Sequence, residues 1–531
     1  MISEQEIDRL CLETLRCPDS RRVKNRLKST KDELLRDSYK WILSNEQYYR
    51  WRDGDDLSLL WVKGGAGKGK TMMSIGLTEE LSQDPDRKPV VVYFFCQNAD
   101  QELNTVQAVI KGLIARLVAR EPALVKVLRR RWSVQENNFT ENLNRWEALW
   151  EVFLEMLDEY QHVDTTIFIV VDALDECQEE ALASFLRTVV RTGLDRPKRI
   201  KWLLTSRPLG SMEYDLIGGA KRVHVSLELN AGSVNDGIQN FISSQVDKLA
   251  RQHGYDAPTK RAVKGAIHAR ANGTFLWASL VCKRLEGVPA REAVAKVNET
   301  PPELQRLYDQ AYENPDGSLQ SNDARRRQLL RTLMLAFRPL SLPEMINLNI
   351  LSDEPAERRE LIDRCSTFIR LRSENGVQYL EFVHQSARDY LFERFKPPAH
   401  DAEISFDHNK MVTLCLISLS SHLRTDVVRG PMVSATKEEL LEHGRQPPAG
   451  LDYAARFWVD HLHAAMGTSL SLATTVENGD VERFLQFYFL QWIEYLSLSD
   501  QLLYAFTGLN ILRTILVKAE VCGFFIYIVF V

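Results

Sequence analysis

Gly64-Gly65-Ala66-Gly67-Lys68-Gly69-Lys70-Thr71 decides the fold of this chain. The stretch matches G-x-x-x-x-G-K-[ST], the phosphate-binding loop. The apolar run 57–63 predicts a buried strand before it, and the apolar spacing over 72–81 predicts a helix after it. Strand, glycine-rich loop and helix are the context that this motif requires. A chance glycine-rich turn is the alternative, and the two flanking elements disfavour it.

Each residue of this stretch has a predicted part in holding phosphate. The glycines let the backbone turn its N–H groups into one concavity, and the following helix adds its positive end. Lys70 is placed for the β- and γ-phosphates, and the Thr71 hydroxyl is placed for a Mg²⁺ ion. The predicted nucleotide-binding residues of the stretch are Gly64, Gly65, Ala66, Gly67, Lys68, Gly69, Lys70, Thr71 and Met72.

The composition is that of an ordinary globular protein. The 531 residues, 44% hydrophobic and 26% charged, suffice for roughly two to four domains. The net charge of −5 gives no general attraction to nucleic acid or anionic membranes. The eight cysteines form no C-x-x-C pair and no zinc spacing with histidine, and the N-terminus lacks a signal-peptide core. We therefore expect a cytoplasmic protein with reduced thiols.

Apolar runs separated by helical patterns follow the loop and predict further strands at 90–95, 166–172, 201–207 and 223–225. Unbroken apolar runs of this kind indicate a parallel sheet that is covered by helices on both faces. Ligands of such sheets bind at the carboxyl ends of the strands. Because Thr71, Asp172 and Arg207 all fall at or just beyond such ends, their positions are a second argument for a nucleotide site.

The acids after the third predicted strand indicate metal and catalytic roles. Asp172 ends a buried strand, so a cation or donors must offset its desolvation; Mg²⁺ held together with Thr71 and the phosphates would do so. Asp175 and Glu176 lie on the following turn, where one of them could orient a water for attack on the γ-phosphate. Helix N-capping by Asp172 or Asp175 is the alternative.

Arg207 follows Thr205-Ser206 at the very end of the fourth predicted strand. A guanidinium at that place can stabilise charge on the γ-phosphate, which makes Arg207 a catalytic candidate beside Asp175 and Glu176. A structural salt bridge is the alternative for this arginine.

Several stretches together resemble one known family. The loop with its preceding Trp61-Val62-Lys63, the run 170–177 and the run 203–208 resemble the NACHT domain of STAND-class P-loop NTPases, the class that includes NOD-like receptors. The acidic doublet after the metal aspartate is a NACHT trait. Further stretches are similar to the fungal branch of the family, and they lie at 11–16, 271–278, 338–342 and 382–391. The similarity covers residues 8–395.

The resemblance implies an α/β P-loop NTPase core with a parallel sheet covered by helices, then a helical domain, a winged-helix domain and a C-terminal all-α region. The expected boundaries are 1–50 for an N-terminal helical lead-in, 51–226 for the core, 227–300 for the helical domain, 301–395 for the winged helix and 396–531 for the C-terminal region with its apolar tail. It also implies that His384 contacts the β-phosphate of ADP and latches a closed form. A neutral core histidine is the alternative.

The function that the resemblance implies is a signalling switch controlled by nucleotide. ATP or GTP with Mg²⁺ would open the chain for self-association, slow hydrolysis would follow, and ADP or GDP would favour the closed form. Such switches serve fungal innate-immunity-like or heterokaryon-incompatibility-like responses. NOD-like receptors pack a proline on the adenine, and the stretch 272–277 has none, so the base stays open. A metabolic P-loop kinase or ATPase and a scaffold with structural nucleotide are the alternatives.

Two features bear on other partners. Arg325-Arg326-Arg327 on a winged helix would suit DNA, but this class uses that fold as an internal switch, so no nucleic acid is expected. The apolar tail 521–531 is too short to span a bilayer. It is either an aggregation-prone segment or a mispredicted coding end that truncates a repeat region. Protein partners other than a second copy remain unidentified.

Overall fold

The computed structural model divides the chain into two compact units, residues 1–307 and 308–531, which are described separately below. The structure describes residues 4–15, 17–30, 36–83, 89–134, 145–160, 165–177, 179–194, 200–210, 213, 216, 221–271, 273–313, 323–395, 402–423, 448–465 and 480–518.

A five-stranded parallel sheet forms the centre of the first unit. Its strands are β1 (Leu59–Lys63), β2 (Val90–Phe95), β3 (Ile167–Asp172), β4 (Ile200–Ser206) and β5 (Arg222–Ser226). Their order is β2-β3-β4-β1-β5, and every pairing is parallel. Strands β2, β3 and β4 are buried along their whole length, because helices cover both faces and leave no solvated side. The parallel sheet predicted from the unbroken apolar runs is confirmed.

The register of this sheet brings the ends of several strands together. Lys63 at the end of β1 lies opposite Ser206 at the end of β4 and opposite Ser226 at the end of β5. Since β3 pairs in parallel with β4, its last residue, Asp172, lies at the same carboxyl edge. The loop that follows β1 therefore opens beside the residues that follow β3, β4 and β5.

The described residues of the first unit also form helices. They span Glu4–Leu15, Ser20–Thr30, Arg36–Tyr39, Glu46–Asp53, Lys70–Ser82, Val106–Arg120, Val125–Val134, Trp146–Glu159, Glu179–Thr188, Ala231–His253, Ala257–Arg270, Phe275–Arg284 and Ala290–Glu299, and the helix Leu304–Glu313 contains the division between the units. Short 3₁₀ turns lie at Lys40–Ser44, Pro122–Leu124 and Leu174–Glu176, and a π-helical turn lies at Val189–Gly193.

The N-terminal helices pack on the helix Lys70–Ser82 through charged contacts. Lys28 of the basic run 21–28 lies 2.9 Å from Glu79, and Arg36 lies 2.6 Å from Glu80. These pairs are largely solvated, so each contributes little free energy. The lead-in helices therefore contact the helix that begins at the phosphate loop.

The second unit holds a small antiparallel sheet. Strands β6 (Leu340–Ser341), β7 (Ile369–Glu374) and β8 (Val377–Phe382) are ordered β6-β8-β7, and Asn375-Gly376 forms the β7–β8 turn with φ values of 51° and 81°. Asn-Gly is the dipeptide that a two-residue hairpin with two left-handed residues favours. Among the described residues, the helices of this unit are Asp323–Leu335, Leu342–Asn347, Pro355–Arg364, Gln385–Phe395, Ala402–His422, Asp452–Ala465, Asp480–Leu498 and Leu502–Lys518.

The stretch 338–342, which carried part of the family resemblance, builds a buried ion pair. Arg338 lies 2.5 Å from Glu344, and the Glu344 carboxylate also caps the next helix by accepting the Ser341 N–H at 2.7 Å. The Tyr453 N–H donates to the same carboxylate at 3.0 Å. This acid therefore joins the small sheet to the C-terminal helices of the unit.

The fold class expected from the sequence is confirmed: an α/β core with a parallel sheet, then helical segments, a small sheet with helices, and a C-terminal region whose described elements are helices. No helix in the described part of the chain is long and apolar enough to cross a membrane. The apolar tail 521–531 lies outside the described residues, so the expectations about it stay predictions.

Candidate phosphate-binding site

The loop between β1 and the helix Lys70–Ser82 needs glycine at two places. Gly67 and Gly69 have φ values of 73° and 85°, in the left-handed region that side chains rarely adopt. Neighbours also fill the space where a side chain would begin. A Cβ on Gly67 would lie 2.9 Å from the Leu276 Cβ, and a Cβ on Gly69 would lie 3.1 Å from the Phe275 ring. The loop conformation thus depends on both its own glycines and the segment packed against it.

The turn at 273–276 holds the loop from outside. The Phe275 N–H donates to the Gly67 carbonyl at 2.9 Å, and the Lys68 Nζ donates to the Gly273 carbonyl at 2.7 Å. Trp277 just beyond is fully buried, as expected of a core residue, and its Nε1 donates to the Pro301 carbonyl. Lys68, predicted only as a member of the loop, therefore also ties the loop to the helices that follow the sheet.

Lys70 lies over the start of the loop. Its Nζ donates to the Gly64 carbonyl at 2.5 Å and to the Gly65 carbonyl at 2.9 Å. Burial lowers the pKa of Lys70, while the carboxylates of Asp175 and Asp172 act in the opposite direction. A desolvated ammonium on a flexible stem is suited to binding a phosphate anion.

Glu228 binds the loop and was not predicted. Its Oε1 accepts the Gly65 N–H at 2.7 Å, and its Oε2 accepts the Ser226 hydroxyl at 3.0 Å. Partial burial alone would raise the pKa of Glu228, but these hydrogen bonds lower it. The available signal was an acid just beyond β5, because β5 pairs with β1 and ends at the same edge of the sheet.

Asp172 is buried at the end of β3, with 1% of its surface exposed. Its Oδ1 accepts the hydroxyls of Ser74 and Thr205, each at 2.6 Å. Its Oδ2 is buried and has no hydrogen-bond partner among the described residues. The side chain does not cap the 3₁₀ turn that follows, because the N-cap there is Ala173.

The Asp172 Oδ2, which has no hydrogen-bond partner among the described residues, shows whether the residues of this site fit Mg²⁺. A buried acceptor without a donor is costly, and a hard cation that takes oxygen ligands would compensate it. Among the described residues no group of three or more His, Cys, Asp or Glu side chains could hold a metal. Mg²⁺ is usually bound by one or two carboxylates together with waters and phosphates. Asp172 together with Thr71, in the first turn of the helix, fits such an ion.

The remaining acids face the end of β4 and the loop after β2. The Asp175 carboxylate accepts the Arg207 N–H at 2.9 Å and pairs with the Arg207 Nε at 3.2 Å. The structure therefore places Arg207 in the salt bridge that was its alternative. The Glu176 Oε2 accepts the Asn98 N–H at 3.0 Å. All three catalytic candidates lie beside Asp172, while their catalytic roles stay predictions.

His384 belongs to the second unit, directly before the helix Gln385–Phe395. Its Nδ1 accepts the Ser386 N–H at 3.0 Å and lies 2.9 Å from the Ser386 hydroxyl. That hydroxyl in turn lies 3.0 Å from the Tyr308 hydroxyl. The local hydrogen bonds fix the ring orientation, and the predicted contact of His384 with nucleotide stays a prediction.

The strand order, the loop and its lysine define the protein as one with a P-loop NTPase core. A family model described as nephrocystin 3, N-terminal, matches residues 37–207. The chain is 33% identical over 524 residues to vegetative incompatibility protein HET-E-1 of Podospora anserina, a match over 95% of this chain and 38% of that protein. The resemblance to fungal NACHT-domain proteins is thereby confirmed. The chain spans about two fifths of the length of this relative (38%).

Two solved structures align with much of this chain at low identity. The Aeropyrum pernix ORC2 protein aligns with 68% of this chain and 94% of its own at 10% identity and a TM-score of 0.31. A point mutant of the Thermotoga maritima RuvB protein aligns with 70% of this chain and 100% of its own at 14% identity and a TM-score of 0.26. At such scores these alignments add nothing to the argument from strand order.

Proposed function

We propose that this chain is a nucleotide-controlled switch that binds a nucleoside triphosphate with Mg²⁺ in the loop Gly64–Thr71 and hydrolyses it slowly. The proposal rests on three features that lie close together. The left-handed glycine loop, the Lys70 ammonium and the unpartnered Asp172 oxygen meet at one edge of the sheet. Together they supply donors, a cation and a metal ligand for a polyphosphate.

The residues divide the work as follows. Loop N–H groups and Lys70 hold the phosphates, and Met72 continues the row of N–H groups into the first helical turn. Thr71 and Asp172 would hold the Mg²⁺, which would neutralise charge on the phosphates. Glu176 or Asp175 orients the attacking water. Arg207 contacts the γ-phosphate only after its salt bridge with Asp175 breaks. The salt bridge at 3.2 Å therefore corresponds to the inactive position of the Arg207 side chain.

The switch itself rests on differential affinity of nucleotide for two arrangements of the chain. ADP or GDP favours a closed form through His384, and ATP or GTP favours an open form that associates with further copies. We also propose that the chain acts in the cytoplasm. The relative's name refers to vegetative incompatibility, so we place this chain in a fungal innate-immunity-like or heterokaryon-incompatibility-like response. Similarity over 95% of the chain supports this assignment.

Turnover and size on a gel-filtration column test the proposal. With ADP the chain should elute as a smaller species, and with a non-hydrolysable triphosphate and Mg²⁺ as a larger one. Glu176→Gln should keep the triphosphate-induced size change and slow hydrolysis by about 10²–10⁴. His384→Ala should weaken the effect of ADP. Equal elution in both nucleotides, with no turnover, would contradict the switch and leave nucleotide as a structural ligand.

A further inference from the structure

Two hydroxyls hold the carboxylate of Asp172 from opposite elements. Ser74 belongs to the helix Lys70–Ser82 after the loop, and Thr205 belongs to β4. We propose that Ser74 and Thr205 are positioning residues. Their hydrogen bonds hold the Asp172 Oδ1 in place and thereby direct the Asp172 Oδ2 toward the cation. The proposal rests on the proposed function, because it concerns the metal side of the same site.

The geometry assigns the hydrogens without ambiguity. The Thr205 Oγ1 accepts the Ala173 N–H at 3.0 Å, so its own hydrogen is available to the Asp172 Oδ1 at 2.6 Å. A carboxylate oxygen only accepts, so the Ser74 hydroxyl at 2.6 Å must also be a donor. Two short bonds from different directions fix one oxygen in space, and the plane of the carboxylate then determines where Oδ2 lies.

The fixed position of the Asp172 Oδ1 matters for the metal site because all three side chains are buried. Ser74 and Thr205 expose 0% and 1% of their surface, and Asp172 exposes 1%. Solvent therefore does not compete with the two hydroxyls for hydrogen bonds to the Asp172 Oδ1. The other oxygen, Oδ2, stays without a donor among the described residues. If one hydroxyl is removed, the carboxylate can rotate and offer both oxygens to the remaining donor, which weakens its hold on the metal. Partners in the outer shell of a metal site typically contribute about 10–100-fold in metal affinity.

Thr205 has a second effect that Ser74 lacks. Ala173 adopts a φ of 56°, a left-handed conformation that costs energy for a residue with a Cβ, and its N–H is held by Thr205. This turn carries Asp175 and Glu176. Removing the Thr205 hydroxyl should therefore disturb both metal affinity and hydrolysis, whereas removing the Ser74 hydroxyl should disturb the metal affinity alone.

The test is the Mg²⁺ dependence of binding of a fluorescent ADP analogue to the full chain. Affinity is measured in EDTA and across a Mg²⁺ titration for the parent, Ser74→Ala, Thr205→Val and the double variant. In EDTA all should lie within about twofold of the parent. The Mg²⁺ concentration at half effect should rise about tenfold in each single variant and about a hundredfold in the double variant. Thr205→Ser keeps the hydroxyl and should restore the parent value.

Thr78→Val is the matched control. Its hydroxyl is equally buried and lies one turn further along the same helix, but it donates to the Ser74 carbonyl and not to Asp172. It should leave the Mg²⁺ midpoint unchanged. Unchanged midpoints in Ser74→Ala and Thr205→Val overturn the inference, as does an equal loss of affinity with and without Mg²⁺, which would mark a purely structural role. A parent chain that binds no nucleotide overturns the proposed function itself, and this inference with it.

Discussion

Asp172 and Glu344 are both buried carboxylates, with 1% and 3% of their surfaces exposed, yet their surroundings differ in kind. Glu344 in the second unit faces the Arg338 guanidinium and accepts two backbone N–H groups. Asp172 in the first unit has only two hydroxyls among the described residues, both on one oxygen. Glu344 has its hydrogen-bond and charge partners within the chain, whereas the Oδ2 of Asp172 has no hydrogen-bond donor among the described residues. Glu344 therefore holds the fold together, whereas we propose that Asp172 is arranged for a ligand.

Removing the charge of Glu344 should cause the largest effect. Burial alone would raise the pKa of Glu344, but Arg338 and the bonds from Ser341 lower it, so the carboxylate is charged in the folded state. Glu344→Gln leaves the Arg338 charge buried without compensation, and should lower the free energy of unfolding by about 3–5 kcal/mol. Urea unfolding measures this. The control is the exposed Glu360, whose carboxylate lies 3.7 Å from Arg364, and Glu360→Gln should cost at most about 1 kcal/mol. Equal losses would refute the distinction.

A pair of buried histidines beside Tyr453 extends the comparison to pH. The Nδ1 atoms of His408 and His461 lie 2.8 Å apart, so only one can carry the shared hydrogen, and the His461 Nε2 lies 2.8 Å from the Tyr453 hydroxyl. Burial lowers the pKa of His408 to about 4, and burial together with His408 lowers the pKa of His461 well below its usual range. Both rings are therefore neutral in the fold.

The sign of the pH dependence follows from these lowered pKa values. As the pH falls below about 6.5, the histidine becomes protonated in the unfolded chain but stays neutral in the folded chain. Its contribution to the free energy of unfolding is therefore complete above that pH and is lost progressively toward pH 4. The loss from His408 should reach about 3 kcal/mol. Melting temperatures across this range measure it. His408→Gln should flatten the profile, while His463→Gln, at an exposed site, should not. An unchanged profile in His408→Gln would contradict this account of the pair.

Asp172→Asn tests the other side of the comparison. The amide keeps an acceptor for the hydroxyls of Ser74 and Thr205 but replaces the oxygen that lacks a partner. Stability without ligand should therefore stay within about 1 kcal/mol of the parent, in contrast to Glu344→Gln. The Mg²⁺-dependent part of nucleotide affinity should fall about a hundredfold, or about 2.7 kcal/mol. If instead the variant unfolds as readily as Glu344→Gln, then Asp172 is a structural acid.

The smallest effect is expected at Glu228, an acid that binds the loop itself through the Gly65 N–H. Glu228→Gln keeps the acceptor and removes a negative charge next to the phosphate site. Nucleotide affinity should rise about two- to threefold, a modest gain because the side chain is largely solvated and screened. Glu228→Ala also loses the hydrogen bond and should not bind more tightly than Glu228→Gln. Weaker binding by Glu228→Gln would mean that the charge helps to order the loop.

The parts of the site that could be predicted from sequence are the local ones. The loop and the acids 172, 175 and 176 are patterns next to apolar runs, so spacing alone located them at one edge of the sheet. The partners of these groups are distant in the chain. Ser74 and Asp172 are separated by 98 positions, Gly65 and Glu228 by 163, and Lys68 and Gly273 by 205. No periodicity links such pairs, because the three-dimensional register of the sheet brings them together.

Arg207 shows the same limit in a different way. Its position just beyond β4 could be predicted, but the choice between a γ-phosphate contact and a salt bridge depended on what stood opposite. The structure places Asp175 there, bound to both the backbone N–H and the side chain of Arg207. Apolar runs in the sequence predict where a strand ends. The partner of a side chain at that end depends on the neighbouring turn, which here begins at the left-handed Ala173.

The central claim, that the loop Gly64–Thr71 binds the phosphates of a nucleotide, is tested most directly by calorimetric titration of ADP with Mg²⁺ into the parent and Lys70→Ala. Lys70 supplies the ammonium over the loop, so its removal should weaken binding at least about a hundredfold while the backbone N–H groups remain. Lys260→Ala, which removes a surface lysine paired with Asp247, should bind like the parent. Equal affinity in the parent and Lys70→Ala would contradict the phosphate-loop assignment.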